Sequence, residues 1–174
     1  MSFIVVDVES DGPCPGLYSM VSFGAVLVEP GLTRSFMRTT APITDQYVPE
    51  ALAVSGHSRT EHAQFGDPAT AMKDFAEWLS ANSTGRPVFV SDNPAFDWQW
   101  INYYFHRYTG ANPFGFSARR IGDLYAGMQK NAYSANDWKK FRKTAHTHNP
   151  VDDARGNAEA LLKMQFMGLK INFN

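Results

Sequence analysis

The sequence predicts an α/β fold in which helices cover a mixed β-sheet. Short apolar segments that are typical of buried strands alternate along the chain with longer segments of helical periodicity. A strand, a hairpin, a helix, a further strand and two more helices follow one another, and this order indicates a mixed sheet. With 174 residues the chain has the length of one domain, and we expect residues 1–174 to form it.

The predicted strands are short and apolar. Four apolar residues at 3–6 are typical of a central strand that is buried on both faces. Residues 18–29 predict a long second strand, and residues 33–40 predict its antiparallel partner across the turn at residues 30–31. Residues 87–91 predict a further buried strand.

Helices are predicted where a capping residue precedes an apolar face. Asp67 is an N-cap followed by Pro68, and we expect the helix that they open to end near residue 82. Residues 41–66 are less regular and predict a short helix followed by a loop. The remaining predicted helices cover residues 97–108, residues 134–143 with Ser134 as the cap, and residues 150–167. Residues 119–128 predict a short strand that runs into a helix.

Composition limits the classes of function. The net charge is −1, so the chain has no overall basic field that would capture nucleic acid at long range. A polyanion would have to be held by metal ions and a local basic patch. The one cysteine, Cys14, excludes an internal disulfide, and no apolar run approaches the roughly 18 residues of a membrane helix. We therefore expect a cytoplasmic protein that contacts no membrane.

Two carboxylates follow the first predicted strand. Asp7 and Glu9 are two residues apart, so they project to the same side of an extended chain. Carboxylates that face one way repel each other unless a cation lies between them, and this pattern indicates a divalent metal. Because an Asp-x-Glu pair also occurs by chance, further carboxylates have to support the metal site.

Two more aspartates stand where helices are predicted to begin. Asp97 lies at the junction between the strand at residues 87–91 and the next helix, which is the usual place for a ligand site in an α/β sheet. Asp153 falls in the first turn of the last helix, on the same face as Asn157, and the helix dipole favours a carboxylate there. A purely structural role, as a helix cap or a first-turn acid, is the alternative for both.

Three motifs follow one another along the chain, and they are Asp7-x-Glu9, Asn93-x-x-Phe96-Asp97 and His148-x-x-x-x-Asp153. In order and in context, these motifs resemble those of the DEDD exonucleases in their histidine branch (DEDDh), a superfamily that includes RNase T, oligoribonuclease and polymerase proofreading domains. The resemblance covers nearly the whole chain, including residues 22–28 and 49–57. Asp92 and Pro150 stand where many members have histidine and alanine, and neither departure removes a metal ligand or the base.

The resemblance implies an RNase H-like sheet flanked by helices and a metal-dependent 3'-5' exonuclease that acts on the 3' end of single-stranded RNA or DNA. It implies that Asp7, Glu9, Asp97 and Asp153 hold two Mg²⁺ or Mn²⁺ ions and that His148 is the general base. It also implies contacts with the terminal nucleotide from Ser10, Asp11, Gly12, His57 and Phe96. A homodimer is compatible with the resemblance, since dimers are common among relatives.

Two other functions stay open on the residues alone. A catalytically silent nucleic-acid-binding module is one of them, although the five intact chemical positions argue against it. The basic cluster of Lys139, Lys140, Arg142 and Lys143 could steer a phosphate backbone to the site, and a solvated helix face explains these residues equally well. A metal-dependent phosphatase or small-nucleotide hydrolase would share the carboxylates and ignore a long strand. The aromatic residues at 98–105 have helical spacing, which favours a core role over base stacking.

Overall fold

A computed structural model describes residues 1–171, which contain a mixed five-stranded sheet. The strands are β1 (Phe3–Ser10), β2 (Met20–Leu27), β3 (Ser35–Thr39), β4 (Val88–Ser91) and β5 (Ala118–Arg120). They lie in the order β3-β2-β1-β4-β5. β1 and β3 are antiparallel to β2, whereas β4 is parallel to both β1 and β5. The predicted mixed sheet and its β2–β3 hairpin are thereby confirmed.

Within residues 1–171, six α-helices and two short 3-10 helices pack around the sheet. The α-helices are α1 (Pro49–Val54), α2 (Arg59–His62), α3 (Pro68–Asn82), α4 (Pro94–Thr109), α5 (Ile121–Gln129) and α6 (Pro150–Phe166), and the 3-10 helices are Ala132–Ser134 and Asp137–Phe141. The predicted caps of α3 and α6 are confirmed, because Asp67 accepts the N–H of Thr70 and Asn149 accepts the N–H of Val151. Among residues 1–171, no helix is long and apolar enough to cross a membrane.

Two predicted helices differ from the structure. α4 begins at Pro94 rather than at Asp97, because proline is well suited to the first helical position, where its missing N–H is not needed. The single helix predicted over residues 134–143 is wrong, since two 3-10 helices occupy this segment. Asn131 caps the first of them instead of Ser134, and Asn and Asp side chains in such segments compete with helical backbone bonds.

Successive side chains of β1 point to opposite faces of the sheet, so alternate residues pack against different helices. Ile4, Val6 and Val8 pack in one core with α3 and α4, where the predicted core residues Trp100, Tyr104 and Phe105 are fully buried. Val5 points to the opposite face, into a core that α5 and α6 cover. Asp7 and Glu9 have the same parity as Val5, so both carboxylates lie on the α6 side of the sheet.

A glycine in β2 allows α6 to approach this part of the sheet. Gly24 is paired with Asp7 across the β1–β2 ladder. A Cβ atom at Gly24 would lie 2.4 Å from the carbonyl carbon of Pro150 and 2.4 Å from the nitrogen of Val151, which is much closer than real contacts allow. The first turn of α6 therefore rests directly on the β2 backbone beside Asp7.

Replacing Gly24 by alanine is expected to push the start of α6 away from the sheet. Overpacking of this kind costs about 1–3 kcal/mol of stability, and the displacement of Asp153 should lower activity as well. Urea denaturation and a hydrolysis assay measure the two effects. The matched control is Gly127→Ala in α5, where an added Cβ meets nothing within 4 Å and should stabilise the helix by up to about 1 kcal/mol. Wild-type stability of Gly24→Ala would contradict the close approach.

Candidate active site

Four carboxylates converge where β1 ends. Oxygen atoms of Asp7, Glu9 and Asp153 lie within 4.8 Å of one another. Asp97 reaches the same place from α4, and its Oδ1 accepts the backbone N–H of Val8 at 3.1 Å. Glu9, Asp97 and Asp153 are buried, and Asp7 is half-buried. The four carboxylates that the sequence singled out are therefore brought together by two strand positions and two helix first turns.

Burial and mutual repulsion act on these carboxylates in the same direction. Burial, followed by the charges of Asp97, Glu9 and Asp153, raises the pKa of Asp7 well above its ordinary value. Burial and then Asp153 raise the pKa of Glu9 to about 7. Burial also raises the pKa of Asp97 to about 7. Without a cation, the folded chain thus disfavours the ionised form of these groups.

Asp153 is held by the loop that precedes α6. Its Oδ1 accepts the N–H of Thr147, and its Oδ2 accepts the N–H of His148, both at 3.0 Å. Arg142 lies 3.2 Å from Oδ1, and Nδ1 of His146 lies 2.8 Å from Oδ2. These contacts compensate the buried charge of Asp153 and fix the loop to the first turn of the helix.

His148 stands at the mouth of the acidic cluster. Its φ of 59° is in the left-handed region, which costs a non-glycine residue about 1 kcal/mol or more, and the bond from its N–H to Asp153 holds it there. Nδ1 lies 3.6 Å from Oε1 of Glu9, and the side chain is 47% exposed. The imidazole is therefore beside the carboxylates and open to solvent at the same time.

The donor set fits a hard divalent cation. The four carboxylates supply oxygen ligands, which such ions prefer. In the described part of the chain, no lysine or arginine forms an ion pair with Asp7 or Glu9. Half-buried and buried carboxylates that have raised pKa values and no such ion pair are stabilised by a bound cation. The cluster can therefore bind metal.

An apolar-walled pocket of about 480 Å³ adjoins the cluster. It is lined by Glu9, Ser10, Gly12, Pro13, Val48, Ala51, Val54 and Phe96. Its walls come from α1, from the first turn of α4 and from the turn after β1, where the Ser10 hydroxyl donates to the carbonyl of Gly12 at 2.7 Å. Three of the predicted nucleotide contacts, Ser10, Gly12 and Phe96, thus line one pocket beside the carboxylates.

The other two predicted contacts, Asp11 and His57, do not line this pocket. The Asp11 side chain is fully buried, where it accepts the N–H of Ser19 and pairs with Arg59 at 2.8 Å. The same guanidinium donates to the carbonyl of Thr44 at 2.6 Å, so Asp11 ties the turn after β1 to the segment before α1. His57 packs edge-on against Phe65, with ring centroids 4.9 Å apart.

Sequence reasoning missed several residues of the site. His146, which belongs to none of the three motifs, contacts Asp153 directly. Arg142 was assigned to phosphate steering together with its basic neighbours, whereas it pairs with the same carboxylate. The position of His146 two residues before the motif histidine is the one local signal that pointed to it. The apolar pocket wall from Val48 to Val54 carries no chemical signature in the sequence.

The fold is similar to that of DEDDh exonucleases of known structure. The nuclease domain of 3'hExo, a DEDDh family member bound to rAMP, matches with a TM-score of 0.76 and 14% identity over 99% of this chain and 96% of that chain. CRN-4, a cell-death related nuclease, matches with a TM-score of 0.73 and 14% identity over 96% of this chain and 64% of the CRN-4 chain. ExoI of E. coli, in a zinc-bound complex with single-stranded DNA, matches with a TM-score of 0.72 and 17% identity over 97% of this chain and 41% of the ExoI chain. The chain has their RNase H-like fold.

A much closer sequence match defines the family. The 3'-5' DNA exonuclease Cap18 of Escherichia coli is 39% identical over 166 residues, which cover 90% of this chain and 88% of that protein. No protein-family model matches the sequence. The chain belongs to the DEDDh family of 3'-5' exonucleases, and it is an enzyme that hydrolyses phosphodiester bonds at the 3' end of nucleic acid. The alternatives of a silent binding module and of a phosphatase are set aside accordingly.

The metal-free protein is expected to respond oppositely to two isosteric changes. Asp7→Asn removes a carboxylate whose pKa is raised by burial and by its acidic neighbours, against a smaller lowering by Arg142, so it should raise the free energy of unfolding in EDTA. Asp153→Asn weakens charged hydrogen bonds from two N–H groups and Arg142, so it should lower the free energy by about 1.5–3 kcal/mol. Urea denaturation measures both, and a less stable Asp7→Asn protein would contradict the repulsion.

The stability of the metal-free protein should depend on pH with a defined sign. In the folded state Glu9 and Asp97 have pKa values of about 7, so between about pH 4 and pH 7 they hold protons that the unfolded chain releases. The free energy of unfolding should therefore fall as the pH rises through this window. Each unit by which the pKa of a group differs between the folded and the unfolded state contributes about 1.4 kcal/mol to this fall. Chemical denaturation in EDTA, with Glu9→Gln as the reference, measures the slope. An equal slope in both proteins would refute the role of Glu9.

Proposed function

We propose that this exonuclease degrades DNA from single-stranded 3' ends and that Asp7, Glu9, Asp97 and Asp153 hold two Mg²⁺ or Mn²⁺ ions. The convergence of the four carboxylates beside a nucleotide-sized pocket carries the proposal. DNA is preferred over RNA as the substrate because the 39% identical relative is a 3'-5' DNA exonuclease. Cytoplasmic location, a single domain and a homodimer stay predictions.

The four carboxylates have one shared task in this proposal, which is to hold the ions against a phosphate. Bound divalent ions would neutralise the phosphate charge and make water acidic enough to attack at neutral pH. Asp153 is positioned for this by its loop, and Asp97 by the N–H of Val8. Asp7 and Glu9 are left with no lysine or arginine ion pair in the described residues, so their oxygen atoms are available to the ions.

His148 acts as the general base in this proposal. With Nδ1 turned toward Glu9, Nε2 is the ring nitrogen that remains to take a proton from the attacking water. The half-exposed ring can reach water without leaving the carboxylates. His146 has a different task, because its Nδ1 already contacts Asp153 and holds this carboxylate in place.

The pocket beside the carboxylates would receive the 3'-terminal nucleotide. Its apolar wall of Val48, Ala51 and Val54, with Phe96 opposite the turn after β1, offers surface to a base and lacks groups that read base identity. The turn at Ser10 and Gly12 lies next to Glu9 and would contact the sugar. The end of the strand is thereby held where the carboxylates meet, which accounts for removal of one nucleotide at a time.

The experiment uses two 20-mers of matched sequence, one DNA and one RNA, each labelled at its 5' end. Each is incubated with Mg²⁺, with Mn²⁺ and with EDTA. We expect a ladder that shortens from the 3' end, that requires the metal and that forms faster on DNA. Faster cleavage of RNA would overturn the assignment of the substrate, and full activity in EDTA would overturn the assignment of the carboxylates.

The variants His148→Ala and His146→Ala serve as a matched pair in the same assay. General-base catalysis contributes about 10²–10⁴-fold, so His148→Ala should lose activity to that extent and should also lose the acidic limb of its pH–rate profile. His146→Ala should lose less and keep the profile, since it only positions Asp153. The reverse result would make His146 the base.

A further inference from the structure

A basic cleft lies next to the catalytic cluster, on the α6 side of the sheet. It has a volume of about 700 Å³ and lies between α6, the 3-10 helix Asp137–Phe141 with the loop after it, and the turn between β2 and β3. Five cationic side chains line it: Lys140, Arg142, Lys143, Arg155 and Lys163. Such a concentration of positive charge is unexpected in a chain whose net charge is −1.

Most of this charge is not neutralised by the protein. Glu159 is the one carboxylate in the lining, and its oxygens accept the backbone N–H groups of Lys143 and Thr144 and the Thr144 hydroxyl. In the part of the chain that the structure describes, the ammonium groups of Lys140, Lys143 and Lys163 form no ion pair. Three cations are thus available to an anionic ligand.

Aromatic side chains accompany these cations. Phe166 is 84% exposed at the rim of the cleft, and Nζ of Lys163 lies 5.0 Å from the centre of its ring. Nζ of Lys140 lies 5.4 Å from the ring of Phe141, which also lines the cleft. Cations beside aromatic rings, of which Phe166 is exposed and Phe141 half-buried, are the combination that binds single-stranded nucleic acid, because phosphates meet the cations and bases stack on the rings.

Shared side chains connect the cleft with the catalytic cluster. An adjoining cavity of about 410 Å³ shares Arg142 and Lys143 with it and extends to His146. Arg142 and His146 both contact Asp153. Along α6, the ten residues from Asp153 to Lys163 correspond to about 15 Å at 1.5 Å per residue. At 3.4 Å per stacked nucleotide, this distance corresponds to roughly four or five nucleotides.

We propose that this cleft is a second binding site for the substrate, which holds the sugar-phosphate backbone of the strand a few nucleotides away from the 3' end. The inference rests on the proposed function, since it takes the ligand to be the strand under degradation. It assigns Lys140, Lys143 and Lys163 to phosphate contacts and Phe166 to stacking. A dinucleotide is too short to reach the cleft, whereas a 20-mer spans it.

The test compares kinetics on a dinucleotide and on a DNA 20-mer for the triple variant Lys140→Gln, Lys143→Gln and Lys163→Gln. The control triple, Lys73→Gln, Arg86→Gln and Lys130→Gln, makes the same change in charge elsewhere on the surface. We expect KM for the 20-mer to rise about tenfold with unchanged kcat, and kcat/KM for the dinucleotide to stay within about twofold. The slope of log KM against log salt concentration should be smaller by about 2 in the triple variant than in the wild type. Each of the three lost phosphate contacts contributes about 0.7 to this slope.

Three outcomes separate the possibilities. A rise in KM for the 20-mer alone, together with a smaller rise in Phe166→Ala, supports the second site. An unchanged KM for the 20-mer, or an equal loss on both substrates or in the control triple, overturns it and leaves an acidic protein partner as the ligand to be tested. If the wild-type enzyme cleaves neither substrate, the proposed function fails, and this result is distinct from the failure of the cleft.

Discussion

The repulsion between buried carboxylates at the end of β1 is the constraint on which the site depends. Asp7 and Glu9 face one side because a strand alternates its side chains, and α6 is packed on that side with Asp153 in its first turn. Burial then raises the pKa of both β1 carboxylates. Because the fold does not relieve this repulsion itself, the free energy that is stored in the metal-free site adds to the affinity for a cation.

The chain compensates Asp153 and Asp97 with hydrogen bonds of its own and gives Asp7 and Glu9 no lysine or arginine ion pair within the described residues. Asp153 has two N–H donors, Arg142 and His146 around it, and all four belong to the segment that leads into α6. The same contacts fix the backbone of His148 in its left-handed conformation. Asp153, a proposed metal ligand, therefore also positions the proposed base, so a change at Asp153 would disturb two functions, whereas a change at Asp7 would disturb one.

Local signals in the sequence predicted a large part of the fold and of the acidic cluster. The caps of α3 and α6 are visible as Asp67-Pro68 and Asn149-Pro150, and the order of the motifs brought the four carboxylates together. The start of α4 was placed too late because Asn93-Pro94 is compatible with both a turn and a first helical turn. The burial of Asp11 depends on Arg59, which is 48 residues away, and no local pattern encodes such a contact.

The local concentration of positive charge gives the basic cleft a role in the reaction proposed for the carboxylate cluster. With 16 lysines and arginines against 17 acidic residues, the chain has no general attraction for a polyanion, so its cations act where they are concentrated. A strand that is held in the cleft keeps its new 3' end near the carboxylates after each cut. Rebinding of the end is then an intramolecular step at high effective concentration. Long strands would therefore be shortened through many cycles within one encounter, and a dinucleotide would gain nothing from the cleft.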